Sequence, residues 1–410
     1  MPKYDLAVVG AGLAGLSAAA MCARAGKKVL LTDPAGAAGG CLRAVEHEAF
    51  RFSGGHDLTY GLEAGGVLQS LHTSLGIAPG GPVHDVTYQV ALPDQRITVA
   101  ADFRVTMEEL RREFPAQIDT FARLYREVRA LALKSSKSRI APYLYNWRSA
   151  KPFLQSHNFS AEATAYFDVQ SRFFFGRPVF ELSLASFILM LDAAPRTLPG
   201  GFSRLAAQLM SIIVERDGRV LMNEPWPELL LRGSRLSGIK TSDGAMELQS
   251  AVLNASWAKR DRTVFFGVRE EALPVGMERN LLCLPDYARP ADFFFLSLSG
   301  PGEDAPSGMR SGTATFHGTV PRDAAPATLR ERIERIIPFL SDFLVLFDER
   351  DTDARRFPLP DRLLGKKRGS DDGSLPQVFA PLRNLSLIYD SPYCVQQTVR
   401  SAQLLASKLL

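Results

Sequence analysis

Lys3-Tyr4-Asp5-Leu6-Ala7-Val8-Val9-Gly10-Ala11-Gly12-Leu13-Ala14-Gly15, followed by the alanine-rich run to Ala25, decides the fold of this chain. Tyr4 to Val9 is a short apolar strand that stops at a glycine, and Leu13 to Ala25 has helical spacing. Lys28 to Thr32 is a second β-type run, ending at Asp33. Strand, G-x-G-x-x-G, helix, strand and acid stand in the order of a dinucleotide-binding βαβ unit. Gly10 permits the tight turn, Gly12 admits a pyrophosphate close to the backbone, and Gly15 lets helix and sheet approach. Ala11, Leu13 and Ala14 contribute backbone amides at the positive end of the helix. Asp33, 18 residues past Gly15, is placed to accept hydrogen bonds from ribose hydroxyls.

The rest of the composition bounds the reading. At 410 residues, with 46% apolar and 22% charged, the chain is long enough for two interleaved or sequential domains. A net charge of +4, without a basic stripe interleaved with aromatics, excludes nucleic acid as a partner. Cys22, Cys41, Cys283 and Cys394 lie far apart, so no metal site and no disulfide framework is expected. The start lacks the pattern of a signal peptide and no run reaches 18 apolar residues. A cytoplasmic protein, at most peripheral to a membrane, is expected.

Helical spacing predicts one or two amphipathic helices over Thr106 to Leu133, broken near Pro115, and further helix over Phe159 to Leu191 and Phe202 to Glu215. Short β-type segments follow at Arg219 to Asn223, Glu228 to Arg232, Ser237 to Thr241 and Glu247 to Asn254, with a turn at Ser242-Asp243-Gly244. Phe293 to Ser299 and Gly312 to Gly318 read as strands, Leu329 to Leu346 as a helix, and 350–375 as a solvated loop. A last strand at Leu385 to Tyr389 precedes a helix from Pro392.

Gly39-Gly40-Cys41-Leu42-Arg43 carries a resemblance. The chain resembles the FAD-dependent family of amine oxidases and protoporphyrinogen oxidases, and within it the phytoene desaturases and carotenoid isomerases. The resemblance implies that Gly40 brings backbone close to FAD. Cys41 stands where the family usually has Arg, and Arg43 either supplies that charge or faces solvent. Phe52-Ser53-Gly54-Gly55 is similar to the family's Phe-Asp-x-Gly, with Ser53 for Asp and Gly55 kept. Leu198-Pro199-Gly200-Gly201-Phe202 resembles Pro-x-Gly-Gly-Met, after which Trp226 takes the place of a valine whose backbone holds the adenine. Tyr389-Asp390 replaces Gly-Asp, and Asp390 is the implied ribityl contact.

The resemblance implies an α/β fold: an FAD-binding Rossmann-type domain from 1–75, 196–265 and 376–410. An α+β substrate domain is inserted as a mainly helical part, 76–195, and a sheet part, 266–375. It implies desaturation or oxidation of a lipophilic small molecule, with a redox-neutral isomerase or a non-catalytic module as the alternative. Phe173-Phe174-Phe175 and Phe293-Phe294-Phe295 either line a tunnel or form core, and His56 and His157 are either acid-base groups or structural. Lys366-Lys367-Arg368 is either a lipid contact or a solvated loop.

Overall fold

A computed structural model describes residues 1–54, 58–79, 81–138, 140–198, 200–256, 262–317, 326–350, 384–390 and 395–410. The strand β1 (Lys3–Val9), helix α1 (Leu13–Arg24) and strand β2 (Val29–Asp33) form the expected unit. Helix α2 (Gly201–Glu215) leads into β3 (Arg219–Met222), and the long β4 (Gly244–Ser256) is followed much later by β5 (Leu385–Asp390) and α3 (Val395–Leu409). Strands β3, β2, β1, β4 and β5 are all parallel neighbours in that order.

The thirteen residues of β4 explain how three distant segments share one sheet. One edge of β4 pairs with β1 from Glu247 to Leu253. Its other edge first receives the hairpin strand Arg235–Thr241, turning at Ser242-Asp243 as expected, and then β5 from Ala251 onward. Helix α1 is buried almost throughout, because Ala18, Ala19, Ala20 and Ala23 let it sit close to the sheet and between α2 and α3. Buried valines and alanines of α3 (Val395, Val399, Ala402, Ala406) complete that layer.

A second seven-stranded sheet runs in the order Leu344–Arg350, Arg262–Arg269, Met309–Phe316, Phe294–Leu298, Asn280–Cys283, Tyr88–Ala91, Arg96–Val99. Its two faces alternate along each strand. Phe295 faces the helices between Phe103 and Asp192, where its ring stacks on Phe173 at 4.6 Å, whereas Phe294 faces Leu329 and Ile333 of helix Pro326–Glu334. Both phenylalanine runs are therefore core. The helical expectation holds in detail: Phe103–Glu113 and Ile118–Ser136 are separated by a turn at Pro115–Gln117.

The helix expected over Leu329 to Leu346 is corrected. Pro326–Glu334 and Leu340–Phe343 are helical, but Leu344–Arg350 is an edge strand paired with Arg262–Arg269. Pairing with an existing strand outweighed local apolar spacing there. Since Arg262–Arg269 lies wholly in the second sheet, we propose that the substrate domain resumes before Arg262 rather than after 265.

Candidate functional site

The glycine loop is built by contacts that leave no room for side chains. Gly10 adopts φ +108°, and a Cβ on it would lie 2.5 Å from the Asn254 carbonyl oxygen. On Gly15 a Cβ would lie 2.1 Å from the Gly10 carbonyl oxygen, so helix and strand touch backbone to backbone. Gly12 caps α1 with extended backbone (φ −75°, ψ 174°), supplies no side-chain acceptor, and no acid follows in the first turn. The positive end of α1, with Leu13 and Ala14 at its first turn, is thus not neutralised from within its own helix.

Two further segments close on the loop. Gly39 and Gly40 adopt φ +113° and +58°, and the Gly39 N–H donates to the Ala11 carbonyl at 2.8 Å. Asp33, at the end of β2, accepts the Ala11 N–H at 2.5 Å through Oδ2 and the Ala35 N–H at 2.6 Å through Oδ1. The carboxylate is thereby fixed in orientation beside the loop by two charge-assisted bonds. Met222 pairs alongside Asp33, and the Glu224 N–H donates to the Asp33 carbonyl at 3.0 Å. This brings Pro225-Trp226-Pro227 to the same end of the sheet, with Trp226 half-buried against the cluster that contains Tyr4 and Leu30.

Cys41 is half-buried and unbridged, in the short turn Gly40–Leu42. That turn is anchored by Ser203 of α2, whose hydroxyl donates to the Leu42 carbonyl at 3.3 Å and accepts the Ala44 N–H at 2.9 Å. Arg43 is half-buried, and its backbone is pressed by Gly54, on which a Cβ would meet the Arg43 carbonyl oxygen at 1.8 Å. Ser53, just after the short strand Phe50–Phe52, is tied to the second sheet, since its carbonyl accepts the Thr313 hydroxyl at 3.0 Å. Gly55 and His56 lie outside the described residues, as do Cys394 and the Lys366-Lys367-Arg368 run. Asp390 ends β5 opposite Ser256, and its side chain lies outside the described structure.

His157 is a core residue, with Nδ1 bonded to the Phe153 carbonyl at 2.9 Å and Nε2 3.4 Å from Glu127. Burial pushes the Cys22 thiol up to about 11, and Cys283 is pushed up as well, so both stay protonated near neutrality. Among the described residues no group of His, Cys, Asp or Glu is arranged to hold a metal.

Residues 8–71 match the model of an NAD(P)-binding Rossmann-like domain. Two curated proteins are similar in sequence. An inactive all-trans-retinol 13,14-reductase of Danio rerio is 23% identical over 61% of this chain and 47% of its own. One subunit of the limonene dehydrogenase of Castellaniella defragrans is 30% identical over 32% of this chain and 24% of its own. This chain spans less than half the length of the curated relatives it matches. Among solved structures, a Rab GDI of Plasmodium falciparum superposes over 100% of this chain and 98% of its own, with TM-score 0.68 and 10% identity. A cyclohexylamine oxidase of Brevibacterium oxydans covers 100% and 99%, with TM-score 0.57 and 15% identity.

The chain has the fold of the amine oxidases. The amine-oxidase fold agrees with the resemblance expected from Gly10 to Gly55 and with the expected α/β architecture. It also explains the interleaving of segments, since β4 must return to the edge of β1 and β5 to the other edge of β4. Within it, three residues of the site region escape motif reading. Asn254, buried at the end of β4, forms the floor under Gly10 and Gly15, and its side-chain amide donates to the Gly10 carbonyl at 3.5 Å. Glu224, also buried, accepts the Ser242 N–H at 2.6 Å and the Ser242 hydroxyl. Ser203 is the third. For Asn254 and Glu224 the hint in the sequence is a lone polar residue near the end of an apolar strand, whereas Ser203 stands in the first turn of α2. Replacing Glu224 by Ala leaves the Ser242 donors without their acceptor, and an unfolding curve should show a loss of about 2 kcal/mol.

Proposed function

We propose that this chain is an FAD-dependent oxidoreductase acting on a lipophilic small molecule. The observation that carries the reading is the cradle at the end of β1. Two glycines there are forced by backbone contact, a helix terminus has no side-chain cap, and an acid is held at the loop by backbone amides. These features suit a pyrophosphate and an adjoining ribose. When bound, the flavin would supply a two-electron acceptor for substrate hydride.

The residues of this chain then have separable tasks. Gly12, Leu13 and Ala14 hold the phosphates with backbone amides, Asp33 accepts from the ribose, and Trp226 flanks the adenine end. Gly40, Cys41 and Arg43 line the path toward the ring, and the family resemblance implies cofactor contacts for Gly55 and, at the ribityl chain, for Asp390. Where α3 begins, it meets an aromatic core. Gln397, in the first turn of α3, donates to the Phe175 carbonyl at 2.6 Å, and the Phe175 ring stacks on Tyr60. Burial pushes the Tyr60 phenol far up and its hydroxyl donates to the Met190 carbonyl, so this part of the core carries no charge. An uncharged aromatic core beside the first turn of α3 supports an apolar substrate. The retinol and limonene named for the curated relatives are of that kind.

Anaerobic bleaching of the bound flavin by terpene, retinoid or long-chain amine substrates tests the activity. A second reading, a module that keeps the fold without catalysis, is favoured by the departures at Cys41, Ser53, Trp226 and Tyr389 and by the likeness to an inactive reductase. It is the correct one if the flavin binds and no substrate bleaches it. Asp390→Ala should weaken FAD by roughly ten- to a hundredfold, the worth of one charged hydrogen bond. A titration showing unchanged affinity, with a lower melting temperature alone, would make Asp390 only a cap for α3.

A further inference from the structure

The helical part of the substrate domain carries a surface that the flavin reading does not use. From residue 128 to 161 the sequence contains Arg129, Lys134, Lys137, Arg139, Arg148 and Lys151, and no Asp or Glu. Against that one-sided charge stand exposed apolar side chains. Leu133 is 53%, Ile140 66%, Leu144 51% and Trp147 89% exposed. Single exposed apolar residues are ordinary, but a run of them in register is not.

The register is helical. In the helix Ala141–Trp147, Tyr145 and Ala141 are buried and face the core. Ile140, Leu144 and Trp147, spaced by four and three, share a second face, roughly 100° around the axis from the buried one. The helix therefore presents one apolar side to the protein and a second one to solvent. Lys134, Lys137, Arg148 and Lys151, close to this helix in sequence, are all exposed and without an ion-pair partner among the described residues. Among those residues, no helix is long and apolar enough to cross a membrane.

We propose that the face formed by Ile140, Leu144 and Trp147, with the exposed Leu133 and the basic side chains close to it in sequence, docks on the surface of an anionic lipid bilayer. The charge complementarity selects this occupant. A basic segment without a single acid is attracted to anionic headgroups, while an indole and three aliphatic side chains of this exposure gain by burial at the interface. The proposal is independent of whether FAD is bound or any substrate is turned over.

Sedimentation of the full chain with sucrose-loaded vesicles tests it. Binding is expected to phosphatidylcholine vesicles containing about a third phosphatidylglycerol, and to fall as salt is raised. Vesicles of phosphatidylcholine alone should bind at least roughly tenfold more weakly. Lys134→Glu/Lys137→Glu and Leu144→Ser/Trp147→Ser should each lower the partition coefficient by about tenfold or more. Their melting temperatures should match that of the parent, because the altered side chains are exposed. Absence of sedimentation with the anionic vesicles, or sedimentation of both variants equal to that of the parent, overturns the proposal. So does a dimer in solution that Leu144→Ser/Trp147→Ser converts to monomer, which would assign the face to a second copy of the chain.

Discussion

A Gly12→Val variant is expected to fold as the parent does and to bind FAD more than about a hundredfold more weakly. The backbone at Gly12 has φ −75° and ψ 174°, a region open to any residue, so glycine is not required there by conformation. On the ligand side, a branched Cβ would stand between the proposed pyrophosphate and the amides of α1. Gly15→Val is the contrasting case. Its Cβ would be placed 2.1 Å from the Gly10 carbonyl oxygen, a backbone atom that cannot swing aside. Forcing α1 away from the sheet should cost at least about 3 kcal/mol, seen as a lower melting temperature of the apoprotein. Flavin titration and an apo melt of both variants check the pair. Tight FAD binding by Gly12→Val would show that the motif is not the site.

Asp33→Ala should have the next largest effect, lowering FAD affinity by roughly ten- to several-hundredfold. Two losses combine. The carboxylate no longer accepts from the ribose, and the Ala11 and Ala35 amides that it fixes lose their acceptor. The second loss acts on the apoprotein as well, so its melting temperature should also fall. Asp33→Asn keeps acceptor capacity at one oxygen and should recover part of the stability and less of the affinity. Unchanged affinity in Asp33→Ala, with the melt lowered, would reduce this acid to a brace for the glycine loop.

The part of the site that could be read from sequence is the part held by local rules. Gly10, Gly15, Gly39 and Gly40 are dictated by backbone conformation or backbone contact, and such requirements leave a mark that only glycine satisfies. Asp33 could be read because β2 must end beside the loop. Asn254 could not, since its role arises only when β4, far along the chain, pairs with β1. The second sheet was partly hidden for a related reason. Tyr88–Ala91 and Asn280–Cys283 are four-residue strands buried on both faces, without the alternation of a half-exposed strand. Leu344–Arg350 opens with four consecutive apolar residues that continue a helix-spaced stretch, and it becomes a strand because Arg262–Arg269 offers it an edge.

The flavoprotein reading rests on one plain measurement. The full chain is purified without added cofactor, its visible absorbance is recorded, and the supernatant after denaturation is assayed for flavin. The account expects flavin absorbance and FAD released in an amount approaching one per chain. Protein that is colourless, releases no FAD and takes none up on incubation would contradict it.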